Sequence, residues 1–212
     1  YKEMEVLVSD GWGNIHVGAE VNTGRSVLIR IFRKDLLEPP VMAEFINEIT
    51  DLTYNLIHKN ILPLEDVVRG PSGAIGFVYP FFPNTLEKVM KPNRRPQISS
   101  RIKMMEQIID GLNYAHNYKG IDGRLRRTFH FHLQPSQVLV SDDLSKIQIS
   151  GLGYSQIYRN LTRAKQPRWQ DPGMNPVTMP PEFFRSRTGT IRERAADIYS
   201  LGVLMYFVAT GE

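Results

Sequence analysis

Hydrophobic and polar positions change their period part-way along the chain. Over residues 1–33 apolar and β-branched residues cluster in short stretches at 4–8, 15–21 and 27–32, with a turn at Asn22-Thr23-Gly24. This pattern predicts strands. After Pro39-Pro40 the period lengthens. Met42, Phe45, Ile49, Leu52 and Leu56 recur at spacings of three and four, which predicts a helix with one buried face. Two more strands are predicted over 61–67 and 75–79, with a Gly70-Pro71-Ser72-Gly73 turn between them. Proline-bearing segments at 80–83 and 92–96 then shift the composition. Beyond them Ile102, Met105, Ile109 and Leu112 mark an amphipathic helix, and residues 198–208 are apolar nearly all round, which predicts a helix buried on every side. The order is a small sheet with one helix, a short connector and a mostly helical half.

Bulk properties narrow the choices only modestly. A chain of 212 residues can bury a proper core, and 42% hydrophobic with 23% charged residues is ordinary for a globular protein. The 26 Lys and Arg against 22 Asp and Glu leave a net charge of +4, a mildly basic surface and no nucleic-acid footprint in itself. The absence of cysteine removes disulfides and thiolate sites and fits a reducing compartment. The longest apolar run, residues 201–209, is too short to span a bilayer, and the chain opens on no signal peptide. A cytoplasmic location is the expectation.

The most informative stretch is His130-Phe131-His132-Leu133-Gln134-Pro135-Ser136-Gln137, followed by the apolar run Val138-Leu139-Val140. It resembles the catalytic loop of protein kinases, H-R-D-L-K-P-x-N and a short strand. The framework positions His130, Leu133 and Pro135 are kept. His132 stands at the base Asp, Gln134 at the Lys and Gln137 at the metal-binding Asn. The resemblance extends along the whole chain. Val27-Leu28-Ile29-Arg30 is similar to V-A-I-K, with Arg30 at the Lys. Glu48 matches the helix Glu that pairs with that Lys, and His58-Lys59-Asn60-Ile61-Leu62 matches H-P-N-I-V. The stretch from Phe77 to Phe82 resembles the last small-lobe strand and the hinge, with Tyr79 as gatekeeper. Gly151 sits at the Asp of D-F-G, Pro180-Pro181-Glu182 resembles A-P-E, and Asp197-Ile198-Tyr199-Ser200-Leu201-Gly202-Val203 resembles D-V-W-S-L-G-V.

That resemblance implies an α+β, bilobal protein-kinase-like fold. Its β-rich N-lobe would span residues 1–82 and its mostly helical C-lobe residues 83–212. The family pattern continues past residue 212, so the C-lobe is expected to lack its last helices, where the family partner of Glu182 lies. A longer stretch than the family pattern separates Gly120 from His130 and carries Arg124, Arg126 and Arg127. Leu52, Leu64, His130 and Leu152 match the positions that form the apolar column between the lobes. Asp197 matches the carboxylate that accepts hydrogen bonds from the catalytic loop.

The same resemblance implies lost chemistry. Phosphoryl transfer needs positioned metal ions and neutralised phosphates, and a hard divalent cation wants carboxylate oxygens. Gly151 offers no side chain and Gln137 only a neutral carbonyl, so no metal and no cofactor are expected. At the adenine position Leu28 replaces a smaller residue. In the glycine-rich loop only Gly13 remains when Ile15 is aligned with the following valine, which places Val8 and Asp10 at the first two glycines. Gly11-Trp12-Gly13 is the weaker alternative. Arg30 is expected to pair with Glu48 in a structural salt bridge, and His132 to be a packed or surface loop histidine.

The resulting expectation is a catalytically inactive kinase-like domain, a pseudokinase, that scaffolds or allosterically controls a protein partner in signalling. An atypical nucleotide binder or weakly active Ser/Thr kinase is the alternative. Specific nucleic-acid binding through Arg124, Arg126, Arg127, Arg159, Arg163, Lys165 and Arg168 lacks an accompanying aromatic motif. The stretch 154–179 has no periodicity and reads as a long loop. It would be either disordered or packed through Trp169 and Pro172, with Ser155, Tyr158 and Thr162 open to modification and its bases facing an acidic partner.

Overall fold

The alternating residues of the first part form an antiparallel five-stranded sheet in the computed structural model, which describes residues 1–70, 73–163, 168–185 and 193–212. Its strands are β1 (Lys2–Asp10), β2 (Gly13–Ala19), β3 (Ser26–Phe32), β4 (Asp66–Arg69) and β5 (Ile75–Pro80), ordered β1-β2-β3-β5-β4. Side chains two apart share a face. Val8, Ile15, Val17, Leu28, Phe32, Phe77 and Tyr79 join the main N-terminal core, whereas Val27, Ile29 and Val78 form a small cluster of their own. The expected turn is present, with the Gly24 N–H donating to the Glu20 carbonyl at 2.8 Å. Arg30 falls on the inward face of the central strand and is only 1% exposed. A guanidinium there requires a buried partner.

Helix α1 (Pro39–Asn55) opens on two prolines, which suit the first turn because its N–H groups lack intrahelical acceptors. Phe45, Ile46 and Ile49 bury its inner face. The predicted strand over 61–67 is displaced: a ladder forms only from Asp66, and Ile61 makes one isolated bridge to Ile149. The backbone of 60–62 bonds across to Ile149 instead, with Leu62 N–H to Ile149 O and Ile149 N–H to Asn60 O both at 2.9 Å.

The second part holds a three-stranded sheet of β6 (Asn84–Thr85), β7 (Val138–Val140) and β8 (Ile147–Ile149), and the helices α2 (Leu86–Val89) and α3 (Ile98–His116). The predicted buried face of α3 requires correction. Ile102 and Ile109 are 45% and 40% exposed, and the helix buries Met104, Ile108, Leu112 and Ala115. Two apolar stripes with helical spacing coexist on this helix, and packing selects the one that faces β8. Gly111 permits the approach, since a Cβ there would meet Ile149 Cδ1 at 2.9 Å.

Helices α4 (Tyr154–Thr162), α5 (Glu182–Arg185) and α6 (Glu193–Thr210) complete the described elements. Helix α6 is not buried on every side: Ala196, Asp197, Ser200, Leu204 and Val208 are buried, but Ile198 and Tyr206 are 57% and 58% exposed. Apolar composition measures what a helix could bury, and burial itself is decided by the elements that surround it. The described residues of the stretch 154–179 are also not a structureless loop. Helix α4 starts directly after Gly153, whose φ of 80° suits glycine, and packs Tyr154, Ser155 and Ile157 inward. Ser155 is fully buried and so not open to modification, and Trp169, the expected anchor, is 45% exposed. Arg168 performs that role, with its guanidinium 4.3 Å from the Phe131 ring centroid and 5.5 Å from that of Phe183.

The two stripes of α3 are separable by mutation. Met104→Ala, which empties a fully buried site, is expected to lower the unfolding free energy by about 2–5 kcal/mol. Ile102→Ala should change it by less than about 0.5 kcal/mol. Denaturant titrations monitored by circular dichroism check both values.

Candidate functional site

The catalytic-loop segment is held from below by one carboxylate. Asp197, fully buried on α6, accepts the His130 N–H at 2.8 Å, the Phe131 N–H at 2.7 Å and a 2.8 Å hydrogen bond with His116 Nε2. These bonds hold Phe131 at a φ of 64°, a left-handed conformation that a bulky side chain rarely adopts. His130 Nε2 lies 2.9 Å from the Ser150 carbonyl, and His132 Nδ1 lies 2.8 Å from the His130 carbonyl. Both imidazoles are buried, with ring centroids 4.3 Å apart. Burial, reinforced by its neighbour His132, pushes the pKa of His130 down to about 3, and burial pushes that of His132 down to about 4. His132 is therefore a neutral packed side chain at pH 7.

The centre of the cleft is a clamp built on Asp10. Its carboxylate accepts five hydrogen bonds: Arg30 Nη1 at 2.9 Å, Arg30 Nη2 at 3.0 Å, Gln137 Nε2 at 2.8 Å, and the backbone N–H groups of Trp12 at 2.9 Å and Gly13 at 3.2 Å. Burial alone would raise the Asp10 pKa, but the Arg30 charge and the hydrogen bonds from Arg30 and Gln137 outweigh it and hold the carboxyl below its ordinary range. The expected Arg30–Glu48 salt bridge is thus absent. Arg30 spends its planar fork on Asp10 in a bidentate pair. Glu48 is exposed on α1, at the rim of a cavity of about 500 Å³ lined also by Asp51, Arg126, Arg127 and Asn160. Partial burial and neighbouring Glu44 push the Glu48 pKa up.

The remaining positions fall around this clamp. Gln137 also accepts from the Ser150 hydroxyl at 3.0 Å through Oε1. Gln134 donates to the Gly173 carbonyl at 3.3 Å and accepts from Asn175 at 3.0 Å. Gly151 has a φ of 78°, and a Cβ there would sit 3.2 Å from both Gln137 Oε1 and His132 Nε2. Gly13 remains for strand pairing, because a Cβ would strike the Ile31 carbonyl at 2.0 Å. Leu28 is fully buried in the cluster that contains Val17, Tyr79 and Leu139, and the Tyr79 hydroxyl lies 2.9 Å from that of Tyr154. Leu64 belongs to the same cluster and Leu152 to the C-terminal one, while Leu52 packs against both. Glu182 is exposed at the start of α5.

The donor set does not suit a divalent cation in this arrangement. The carboxylate at the centre is already neutralised by Arg30, Gln137 turns its amide N–H toward that carboxylate, and Gly151 contributes nothing. Three participants were not legible in the sequence. Trp12, which is fully buried, read only as the middle of the weaker glycine-rich-loop alternative, and Tyr154 and Arg168 carry no motif. The expected outward-facing bases divide differently. Arg159 is bonded to Asp171 at 2.7 Å and Arg126 to Asp122 at 3.3 Å, while Arg124 is 86% exposed. Lys165 lies outside the described residues.

The chain matches the protein kinase domain family over residues 1–212, and it belongs to that family. It is 28% identical over 95% of its length to the serine/threonine-protein kinase KIN4 of Saccharomyces cerevisiae, covering 23% of that protein. It is 25% identical over its whole length to the serine/threonine-protein kinase pkn2 of Myxococcus xanthus, covering 24% of it, and to CBL-interacting protein kinase 15 of Oryza sativa subsp. japonica, covering 46%. The chain thus spans less than half the length of each of these relatives. These matches overturn the expectation that the chain is not an enzyme: it belongs to a family of kinases, among relatives named as kinases. Substituted letters report how a site is bonded, and the catalytic-loop backbone keeps its His130 and Phe131 N–H bonds to Asp197.

Two outcomes follow from the buried charges. Arg30→Met leaves Asp10 without its counter-ion and is expected to destabilise by about 3–5 kcal/mol, with part of the loss recovered by adding Asp10→Asn. Urea unfolding of the single and double variants checks this. The second outcome concerns acid. A lowered folded pKa means that the unfolded chain binds more protons, so stability falls as pH drops from about 6.5 toward 4, on the order of 3 kcal/mol from His132 alone. Asp10 adds to the loss below its ordinary value of 3.8. Stability curves of wild type and His132→Asn between pH 7 and 4 should differ in slope.

Proposed function

We propose that this kinase-family domain works in signalling as a protein-binding regulatory module, with an N-lobe of residues 1–82 and a C-lobe of residues 83–212 held together by a closed, degenerate nucleotide cleft. The observation that carries the reading is the Asp10–Arg30–Gln137 clamp, in which the side chains at two positions of phosphate and metal chemistry, Arg30 and Gln137, both bond Asp10. Leu28 supports it by filling the place where the family receives adenine. A buried bidentate pair joining β3 to the hairpin, with Gln137 of the catalytic loop bonded to the same carboxylate, yields a rigid shape, and a rigid shape is suited to recognition by a protein partner. Partners meet the closed state; phosphoryl transfer requires the clamp to open. A cytoplasmic location belongs to the same proposal, and among the described residues no helix is long and apolar enough to cross a membrane.

A second reading, an atypical nucleotide binder or weakly active Ser/Thr kinase, is favoured by the kinases named among the relatives. Thermal melting with millimolar ATP, with and without magnesium or manganese, separates the two. A ligand at a hundred times its dissociation constant stabilises by about 2.7 kcal/mol, a rise in Tm of roughly 5–10 °C for a chain of this size. The closed-cleft reading expects no shift for wild type and a shift for Leu28→Ala. A clear shift for wild type, accompanied by metal-dependent autophosphorylation, selects the second reading.

A further inference from the structure

Two glycines interlock across the mouth of the cleft. At the tip of the β1–β2 hairpin, a Cβ on Gly11 would stand 2.2 Å from the Gly173 nitrogen; on the opposite side, a Cβ on Gly173 would stand 2.2 Å from Trp12 Nε1. The hairpin tip therefore lies backbone to backbone on the segment that follows α4, with the indole seated beneath it. Trp12 is fully buried and packs against α1, the catalytic loop and α4. It stacks on Phe45 of α1 with centroids 5.8 Å apart and planes 6° from parallel, and lies 5.6 Å from His132 of the catalytic loop. It also stands edge-on to Tyr154 at 5.6 Å and Tyr158 at 5.8 Å, both on α4.

The segment is tied down on its far side as well. Gln134 donates to the Gly173 carbonyl, Asn175 donates to Gln134, Arg159 binds Asp171, and Arg168 lies over Phe131. One polar detail opposes this packing. The Trp12 indole N–H is buried with no acceptor among the described residues, an arrangement that favours release once the surrounding shell loosens.

We propose that Trp12 is a latch that couples the hairpin, α1 and the segments 154–163 and 168–175 into one opening unit, so that the cleft opens only as these segments let go. The seating requires glycine at 173, because any side chain there displaces the indole and glycine alone adopts its φ of 77° without strain. The latch is independent of the protein-binding reading, since it describes how the cleft is held whatever the open state does.

The chain has two tryptophans, so Trp169→Phe leaves Trp12 as a sole reporter. In that background the emission should be blue-shifted and shielded from acrylamide, and Gly173→Ala should raise the quenching constant several-fold while circular dichroism stays native. Hydrogen exchange should then rise together at residues 8–15, 39–55, 154–163 and 168–175, with α3 and α6 unchanged. Trp12→Leu, in case Gly173→Ala fails to fold, should produce the same exchange pattern. Met104→Ala, a cavity remote from the hairpin, serves as the control for general loss of stability. The proposal is overturned by an indole already open to acrylamide in the parent. It is equally overturned if exchange rises at the hairpin alone, or spreads over the whole chain as in the control.

Discussion

The arrangement of the cleft depends on a single buried carboxylate. Asp10 lies at the end of a strand, beside a tight turn, and its five donors come from that turn, from the central strand and from the catalytic-loop segment. An inward-facing guanidinium on β3 cannot remain buried without a counter-ion. Once Asp10 supplies it, the geometry of the neighbourhood follows. The hairpin tip is drawn over the cleft, Gln137 turns its amide toward the carboxylate, and Glu48 is left facing solvent on α1. Closure of the cleft is a consequence of how that one charge is satisfied.

The catalytic-loop framework is kept in this chain, and the side chains around it are bonded among themselves. The Asp197 carboxylate still collects the His130 and Phe131 N–H groups, and the loop still holds a left-handed residue at 131. Upon that scaffold, Arg30 and Gln137 both bond the Asp10 carboxylate. Membership of the protein kinase family and the present bonding pattern are therefore compatible statements. The first concerns a backbone that can host kinase chemistry, and the second concerns the state in which its side chains rest.

The segment after Gly153 shows the same exchange of partners. Phe131 stands where the family has an arginine that grips a phosphate, and here the cation comes from the segment itself, as Arg168 lying over the aromatic face. A partly desolvated cation–π contact holds without a modification to create it. The Arg159–Asp171 pair adds a second tie within the segment, and α4 packs against α1, the helix that carries Glu48.

Much of the fold was legible because local pattern is a physical record of burial. Alternation marked β1 to β3, three-and-four spacing marked α1, and the motif order identified the family before any contact was known. The misreadings share one cause. Ile102 and Met104 both sit on apolar stripes of α3, and only the position of β8 and Gly111 decides which is buried. Arg30 announces a charge that needs a partner, but Glu48 and Asp10 are equally plausible in one dimension. Trp12 is a large apolar group between two glycines until Gly173 comes to lie over it. The sequence by itself determined the periods, the turns, the buried charge and the family, because each follows from residues near one another along the chain. Which partner satisfied Arg30, which face of α3 turned inward and where Trp12 came to rest were decided by the tertiary structure, because each depends on groups brought together from distant parts of the chain, where close packing and pairing of buried charge admit few arrangements.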